Sequence, residues 1–169
     1  MQEEKLRLED LLESSTSAND DDRINNVAII GAGIMGRGIA QTVASMGLEV
    51  VIVEVDSEKL ENAKTKLNDN IDSEIKRWAM TKSDKKAIFS RIKWETDINA
   101  VKDCEIIIEA VQEDFDEKVK VFRQIDKIAN PEAIFVSNTS TLSLTNISES
   151  ISRPTKVIGM HFLNPVPKV

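Results

Sequence analysis

From Asn26 onward the chain alternates short aliphatic runs with longer stretches of helical period. Six runs stand out: Val27–Ile30, Val50–Glu54, Ile92–Trp94, Glu105–Ile108, Ile134–Ser137 and Lys156–Met160. Their separation by helical segments is the mark of repeated strand–helix units. The fold expected is therefore α/β: a doubly wound, mostly parallel sheet with helices on both faces. Leu60, Ala63, Leu67, Ile71, Ile75 and Trp78 recur at spacings of three and four, so a long helix with one buried seam should follow the second strand. A further helix is predicted over 115–128, closed by Asn130-Pro131, because the residue before a proline avoids the helical region.

The segment ahead of the first run has a different character. Residues 1–22 carry eight acidic side chains against Lys5 and Arg7 and end in a Ser/Thr/Asn/Asp run. Leu8, Leu11 and Leu12 suit one short amphipathic helix with too little apolar surface to fold alone. Residues 1–24 thus read as an acidic extension and linker, and 25–169 as the folded domain.

Composition narrows the function. At 169 residues, 41% hydrophobic and 30% charged, the chain suits one domain or slightly more and is short for a complete two-domain enzyme. The absence of Tyr removes a tyrosine general acid. One Cys and one His exclude the usual four-ligand zinc sites and any internal disulfide, so no metal is expected and Cys104 should be a buried free thiol. A net charge of -7 and a pI near 4.9 disfavour nucleic acid as a partner. No apolar run approaches the roughly 18 residues of a membrane span. The opening Met1-Gln2-Glu3-Glu4 lacks the basic and apolar regions of a secretory signal and the Arg-rich, acid-poor character of a transit peptide, so the expected location is cytoplasmic. Charge is nonetheless uneven: between Lys64 and Lys93 stand nine basic and four acidic residues. That stretch is either a solvated helix face or a docking surface for an anionic ligand such as a phosphorylated cofactor.

Gly31-Ala32-Gly33-Ile34-Met35-Gly36 fits G-x-G-x-x-G, directly after the first strand and before a helical run that stops at Gly47. In that setting the pattern points to a dinucleotide. Gly31 permits the tight turn, Gly33 the approach of a pyrophosphate to the backbone, and Gly36 close packing of helix on strand. The phosphates then sit on the helix N-terminus, whose unpaired N–H groups and dipole favour negative charge. A purely structural turn is the alternative. Glu54 ends the second strand 23 positions after Gly31, close to the roughly 20 at which an acid accepts from the adenosine ribose. A carboxylate there repels a 2′-phosphate and favours NAD over NADP, with Arg37 in the turn as a counter-indication. Asp56 competes for the ribose role but also suits the cap of the next helix.

Two further segments follow strands at their C-terminal ends, where open parallel sheets bind ligands: Ser137-Asn138-Thr139-Ser140 and His161-Phe162-Leu163-Asn164-Pro165. Ser137 and Asn138 alone suit an ordinary turn. The lone His161 is either a structural residue or, above a dinucleotide, a catalytic base.

With these residues in view, the chain closely resembles the Rossmann-type NAD-binding domain of the 3-hydroxyacyl-CoA dehydrogenases, including the 3-hydroxybutyryl-CoA enzymes and the dehydrogenase part of fatty-oxidation multienzymes. The resemblance runs from about Asn25 to Val169. Its carriers are the glycine turn, Glu109-Ala110-Val111-Gln112-Glu113, Ser137-Asn138-Thr139-Ser140 and Val157-Ile158-Gly159-Met160-His161-Phe162-Leu163-Asn164-Pro165. It implies NAD-dependent oxidation of a 3-hydroxyacyl-CoA to the 3-oxoacyl-CoA, as in fatty-acid β-oxidation or butyrate-type metabolism. His161 becomes the base that takes the 3-hydroxyl proton, and Ser140 bonds the reacting oxygen. Gly31, Gly33, Ile34, Met35, Gly36, Glu54, Val111, Glu113, Lys118, Ser140 and Asn164 line the cofactor, and Asn70, Arg77 and Ser140 touch coenzyme A. Glu54 stands where the family often has Asp.

The resemblance also implies elements outside this chain. The family's glutamate partner of the histidine lies beyond Val169, as does a helical domain, supplied in cis or in trans, that makes dimer contacts; the full-length form is expected to be a homodimer or part of a multienzyme. Two other readings remain open. One is an NAD-binding module without turnover of its own, and the other is a β-hydroxyacid dehydrogenase of the 6-phosphogluconate or hydroxyisobutyrate type. Those last enzymes rely on a lysine, against which the histidine segment argues.

Overall fold

Aliphatic side chains on both faces of a strand are stable only where both faces are covered, and parallel strands joined by helical crossovers provide that cover. The structure, a computed structural model, describes residues 24–166, so the expected acidic extension lies outside the described residues apart from Ile24. The six runs form strands β1 (Asn26–Ile30), β2 (Glu49–Val53), β3 (Ile92–Glu95), β4 (Ile106–Glu109), β5 (Ile134–Ser137) and β6 (Val157–Gly159). They make one sheet in the order β3-β2-β1-β4-β5-β6, every neighbouring pair parallel. This is the doubly wound order, with its switch point between β1 and β4.

Because successive side chains of a strand point to opposite faces, β1 feeds two cores at once. Val27 and Ile29 join one layer with Ile39 and Val43 of α1 (Ile34–Ser45), Leu67 and Ile71 of α2 (Ser57–Lys76) and Ile88 of α3 (Lys82–Arg91). Ala28 and Ile30 join the other with Phe122 and Ile125 of α4 (Phe115–Ile128) and Ile147 of α5 (Leu144–Ser148). The sheet therefore carries helices on both faces, as the sequence pattern predicts. Among the described residues no helix is long and apolar enough to cross a membrane.

Three local features decide where the elements end. Asp56 is the N-cap of α2, its carboxylate accepting from the N–H groups of Glu58 and Lys59 at 3.0 Å each. The buried seam of α2 runs through Leu60, Ala63, Leu67 and Ile71, with Ile75 at its edge, but Trp78 is not part of it. The helix stops at Lys76, and the N–H groups of Trp78 and Ala79 turn back to the carbonyls of Ile75 and Glu74, both at 3.0 Å. That closure puts Trp78 at φ 61, the left-handed position usually given to glycine, and leaves its side chain 94% exposed. The spacing alone suited the seam; the reversed backbone carries the residue out of it.

The helix α3 has no amphipathic pattern to announce it, since only Ile88 is buried. Its signal is a capping box: Thr81 Oγ1 accepts from the Asp84 N–H at 3.1 Å, and the Asp84 carboxylate accepts from the Thr81 N–H at 2.9 Å.

Cys104 is buried in the second core layer, as expected. Burial first, then the carboxylates of Glu105 and Asp103, push its thiol up to about 11. At neutral pH the native protein should therefore react with a thiol reagent roughly 10²-fold more slowly than the denatured chain, since only the thiolate reacts. Equal rates in the two states, read by absorbance, would place this thiol at the surface.

Candidate functional site

The switch point opens between the C-terminal ends of β1 and β4. On the β1 side the turn is drawn tight. Gly31 has φ 102 and donates its N–H to the Val53 carbonyl at 2.9 Å. A Cβ on Gly31 would lie 2.8 Å from the Ala110 oxygen, and one on Gly36 would run into the Gly31 carbonyl. Both glycines are thus required by packing. Gly33 is different: a Cβ there meets nothing within 4 Å, so the fold leaves open the space that its missing side chain would fill.

Gly33 is also the N-cap of α1 and supplies no side-chain cap, and the first turn of the helix holds no carboxylate. Its leading N–H groups are left for an anion, and a pyrophosphate fits that demand. Ile34 is exposed at the turn, whereas Met35 packs partly against the core. Glu54 is half-buried beside the turn and accepts from the Ala32 N–H at 3.3 Å. Its other oxygen accepts from the Asp56 N–H at 3.4 Å, while the Asp56 carboxylate is engaged in capping α2. Arg37 donates to the Ala32 carbonyl at 2.8 Å, and burial lowers its pKa from the ordinary value.

On the β4 side the strand ends in a charge. Glu109 is fully buried, and its carboxylate accepts from Lys118 Nζ at 2.6 Å, the Val111 N–H at 2.9 Å and Ser137 Oγ at 2.7 Å. Lys118 does not present its ammonium to the cleft. It is 1% exposed, and besides Glu109 it reaches Glu113 at 3.2 Å.

The other oxygen of Glu113 accepts from Thr139 Oγ1 at 2.5 Å, the N–H groups of Ser140 and Thr141 at 3.0 and 3.1 Å, and Thr141 Oγ1 at 3.1 Å. Burial alone would raise the pKa of this carboxyl. The hydrogen bonds from Thr139, Ser140, Thr141 and Lys118 outweigh that and hold it down at about 2, so it is ionised throughout the neutral range.

Two contacts bring the histidine segment to the same edge. Met160 donates its N–H to the Ser137 carbonyl at 3.0 Å, and the Asn138 side chain accepts from the Phe162 N–H at 3.2 Å. The segments holding Ser140 and His161 are thereby tied together. Both residues are exposed, as is Asn164, and among the described residues neither ring nitrogen of His161 has a hydrogen-bond partner.

Asn70 is exposed on α2 and Arg77 is exposed at the helix's C-cap, seven residues further on. Of the basic stretch, Lys64 pairs with Glu61 and Lys85 with Asp72, both at 2.6 Å. Arg77, Lys82 and Lys86 make no ion pair among the described residues. Sequence reasoning missed Glu109, Thr139 and Thr141 as parts of the site. The signal for Glu109 is present: a carboxylate closing an Ile-Ile-Ile strand must be buried and therefore needs a cation.

Comparison with known proteins identifies the family. The model of the 3-hydroxyacyl-CoA dehydrogenase NAD-binding domain matches residues 26–169. A 3-hydroxybutyryl-CoA dehydrogenase of Bradyrhizobium diazoefficiens is 35% identical over 144 residues, covering 85% of this chain and 49% of that protein. One from Clostridioides difficile is 39% identical over 141 residues, covering 83% and 50%. Among solved structures, the (S)-3-hydroxybutyryl-CoA dehydrogenase of Ralstonia eutropha aligns with a TM-score of 0.84 at 41% identity, covering 86% of this chain and 52% of that one. The chain spans about half the length of the curated relatives it matches. On these matches the chain belongs to the 3-hydroxyacyl-CoA dehydrogenase family and is an NAD-binding domain of that family.

Proposed function

We propose that the chain is the cofactor-holding part of an enzyme that oxidises a 3-hydroxyacyl-CoA to the 3-oxoacyl-CoA. The observation that carries this reading is the clasp of Glu113 on the 139–141 loop beside the His161 segment, which gathers a hydroxyl and an imidazole at one edge of the sheet. Bound NAD would supply the hydride acceptor for C3 of the substrate. His161 receives the proton of the 3-hydroxyl, and Ser140 donates a hydrogen bond to the oxygen that becomes the carbonyl. Gly31, Gly33, Ile34, Met35 and Gly36 would cradle the pyrophosphate, Glu54 would accept from the ribose, Val111, Glu113 and Lys118 would line the cofactor, and Asn164 would lie near its nicotinamide end. Asn70 and Arg77 hold coenzyme A, for which Arg77, without an ion pair among the described residues, is suited as a phosphate donor.

The histidine base needs a partner on its second nitrogen, which we place on a helical domain supplied in cis or in trans, within a homodimer or a multienzyme. We place the reaction in the cytosol, where a lone thiol such as Cys104 stays reduced. A binding module without turnover is the second reading, favoured by the His161 ring having no hydrogen-bond partner among the described residues.

The two glycines of different character separate fold from binding. Gly36→Ala forces the Gly31 carbonyl to move and should lower stability by about 1–3 kcal/mol or more in a thermal melt. Gly33→Ala should leave the melt unchanged while weakening NADH in a fluorescence titration. A Gly33→Ala protein with wild-type affinity would remove the pyrophosphate from this turn.

NADH should bind more tightly than NADPH, and Glu54→Ala should weaken NADH and narrow the difference. Dissociation constants that are equal in the parent protein would contradict the role given to Glu54.

Acetoacetyl-CoA reduction by NADH tests the activity. Residues 1–169 alone should bind cofactor yet turn over slowly, by analogy with loss of an orienting acid on the order of 10⁴ below the complete enzyme. His161→Ala should abolish the rate of the complete form. If residues 1–169 match the complete form, the base or its partner has been misassigned.

A further inference from the structure

The register of β4 with β5 is already held by the sheet ladder, which pairs Glu109 with Ser137, and α4 is seated on the core by Phe122 and Ile125. Neither element needs a buried charge to stay in place. Yet Glu109 and Lys118, 0% and 1% exposed, form an ion pair where two apolar side chains would do as well or better for stability alone. What an apolar pair would lack is direction. The Glu109 carboxylate receives three donors from three different segments: Lys118 of α4, the Val111 N–H of the β4 loop and the Ser137 hydroxyl of β5. The ammonium it holds is the same one that reaches the Glu113 carboxylate, whose remaining oxygen takes four donors from residues 139–141. The ionic sequence Glu109–Lys118–Glu113 therefore links the floor of the sheet to the loop carrying Ser140, with one cation shared between two carboxylates.

We propose that Glu109 is a positioning residue. It fixes the Lys118 ammonium, and through it the angle at which Glu113 clasps the Ser140 and Thr141 N–H groups, so that the Ser140 hydroxyl stands ready for the oxygen of the substrate. This role rests on the reading of Ser140 as the residue that bonds the reacting oxygen. Glu109 itself touches neither substrate nor cofactor. Its carboxylate is spent on Lys118, Val111 and Ser137.

The test uses the full-length protein. Glu109→Gln keeps the shape and removes the charge that holds Lys118. Amide exchange of Ser140 and Thr141, read by NMR, should accelerate about tenfold or more, while the amides of Ile107 and Phe135 in the sheet stay protected. In the same variant kcat should fall by a similar factor with KM for the acyl-CoA little changed, the pattern of an interaction made in the transition state.

A double variant, Glu109→Gln with Lys118→Met, removes the stranded cation and restores thermal stability. Positioning predicts that loop exchange and kcat stay impaired in this stable protein. Recovery of both together with stability would overturn the proposal and leave the pair a packing feature. Wild-type exchange and kcat in Glu109→Gln would overturn it as well. If Glu109→Gln does not fold, the double variant decides alone. Failure of the functional reading is separable: a wild-type protein inactive on 3-hydroxyacyl-CoA sinks that reading, while the exchange of Ser140 and Thr141 still judges whether Glu109 sets the loop.

Discussion

The helix α1 lies against the end of β1 at a distance set by two glycines. The carbonyl of Gly31 fills the place that a side chain on Gly36 would need, and Gly31 itself faces the Ala110 carbonyl across the switch point. Since β1 is flanked by β2 and β4, this single close contact governs both walls of the cleft. Glu54 closes one wall and residues 110–113 the other. A side chain at either glycine would spread the walls, and the polar groups on them would no longer face a common ligand.

The two walls handle charge in opposite ways. The N-terminus of α1 carries no carboxylate, whereas α2 opens with Asp56 and Glu58 and α4 with Asp114, Asp116 and Glu117. The positive ends of those two helices are satisfied by the chain's own acids, and that of α1 has no acid of its own. Across the cleft, Glu109, Lys118 and Glu113 satisfy one another, and their surplus hydrogen-bonding capacity is turned onto the 137–141 segment. The first wall leaves its helix dipole uncompensated. The second uses internal charge to hold its own loop.

Parallel strands are legible because each is a short aliphatic run. β1, β3 and β5 lie within a residue of the sequence expectation, and β6 is only shortened at its ends. Trp78 shows where periodicity misleads: a spacing of three continues the α2 seam in number after the backbone has left the helix. The helix α3 shows the converse, since a helix with a single buried residue is recorded in its cap and not in its pattern. At the site, the glycine turn, Glu54 and the two loop segments are legible as local motifs. The burial of Lys118 is not, because a lysine near a helix start reads as solvated unless its partner is known to be inside.

By itself the sequence determined the α/β class, the strand order's raw material, the dinucleotide turn and, through resemblance, the family. These depend on periodicity and on residues within one turn or loop, where the physics is local. Only the tertiary structure decided which charges meet. Glu109 and Lys118 are nine residues apart on different elements, Glu113 and Ser140 are separated by twenty-seven, and Asn138 and Phe162 by twenty-four. Such pairings follow from which strand lies beside which and from what packing excludes from water, and neither quantity is written at any single position of the chain.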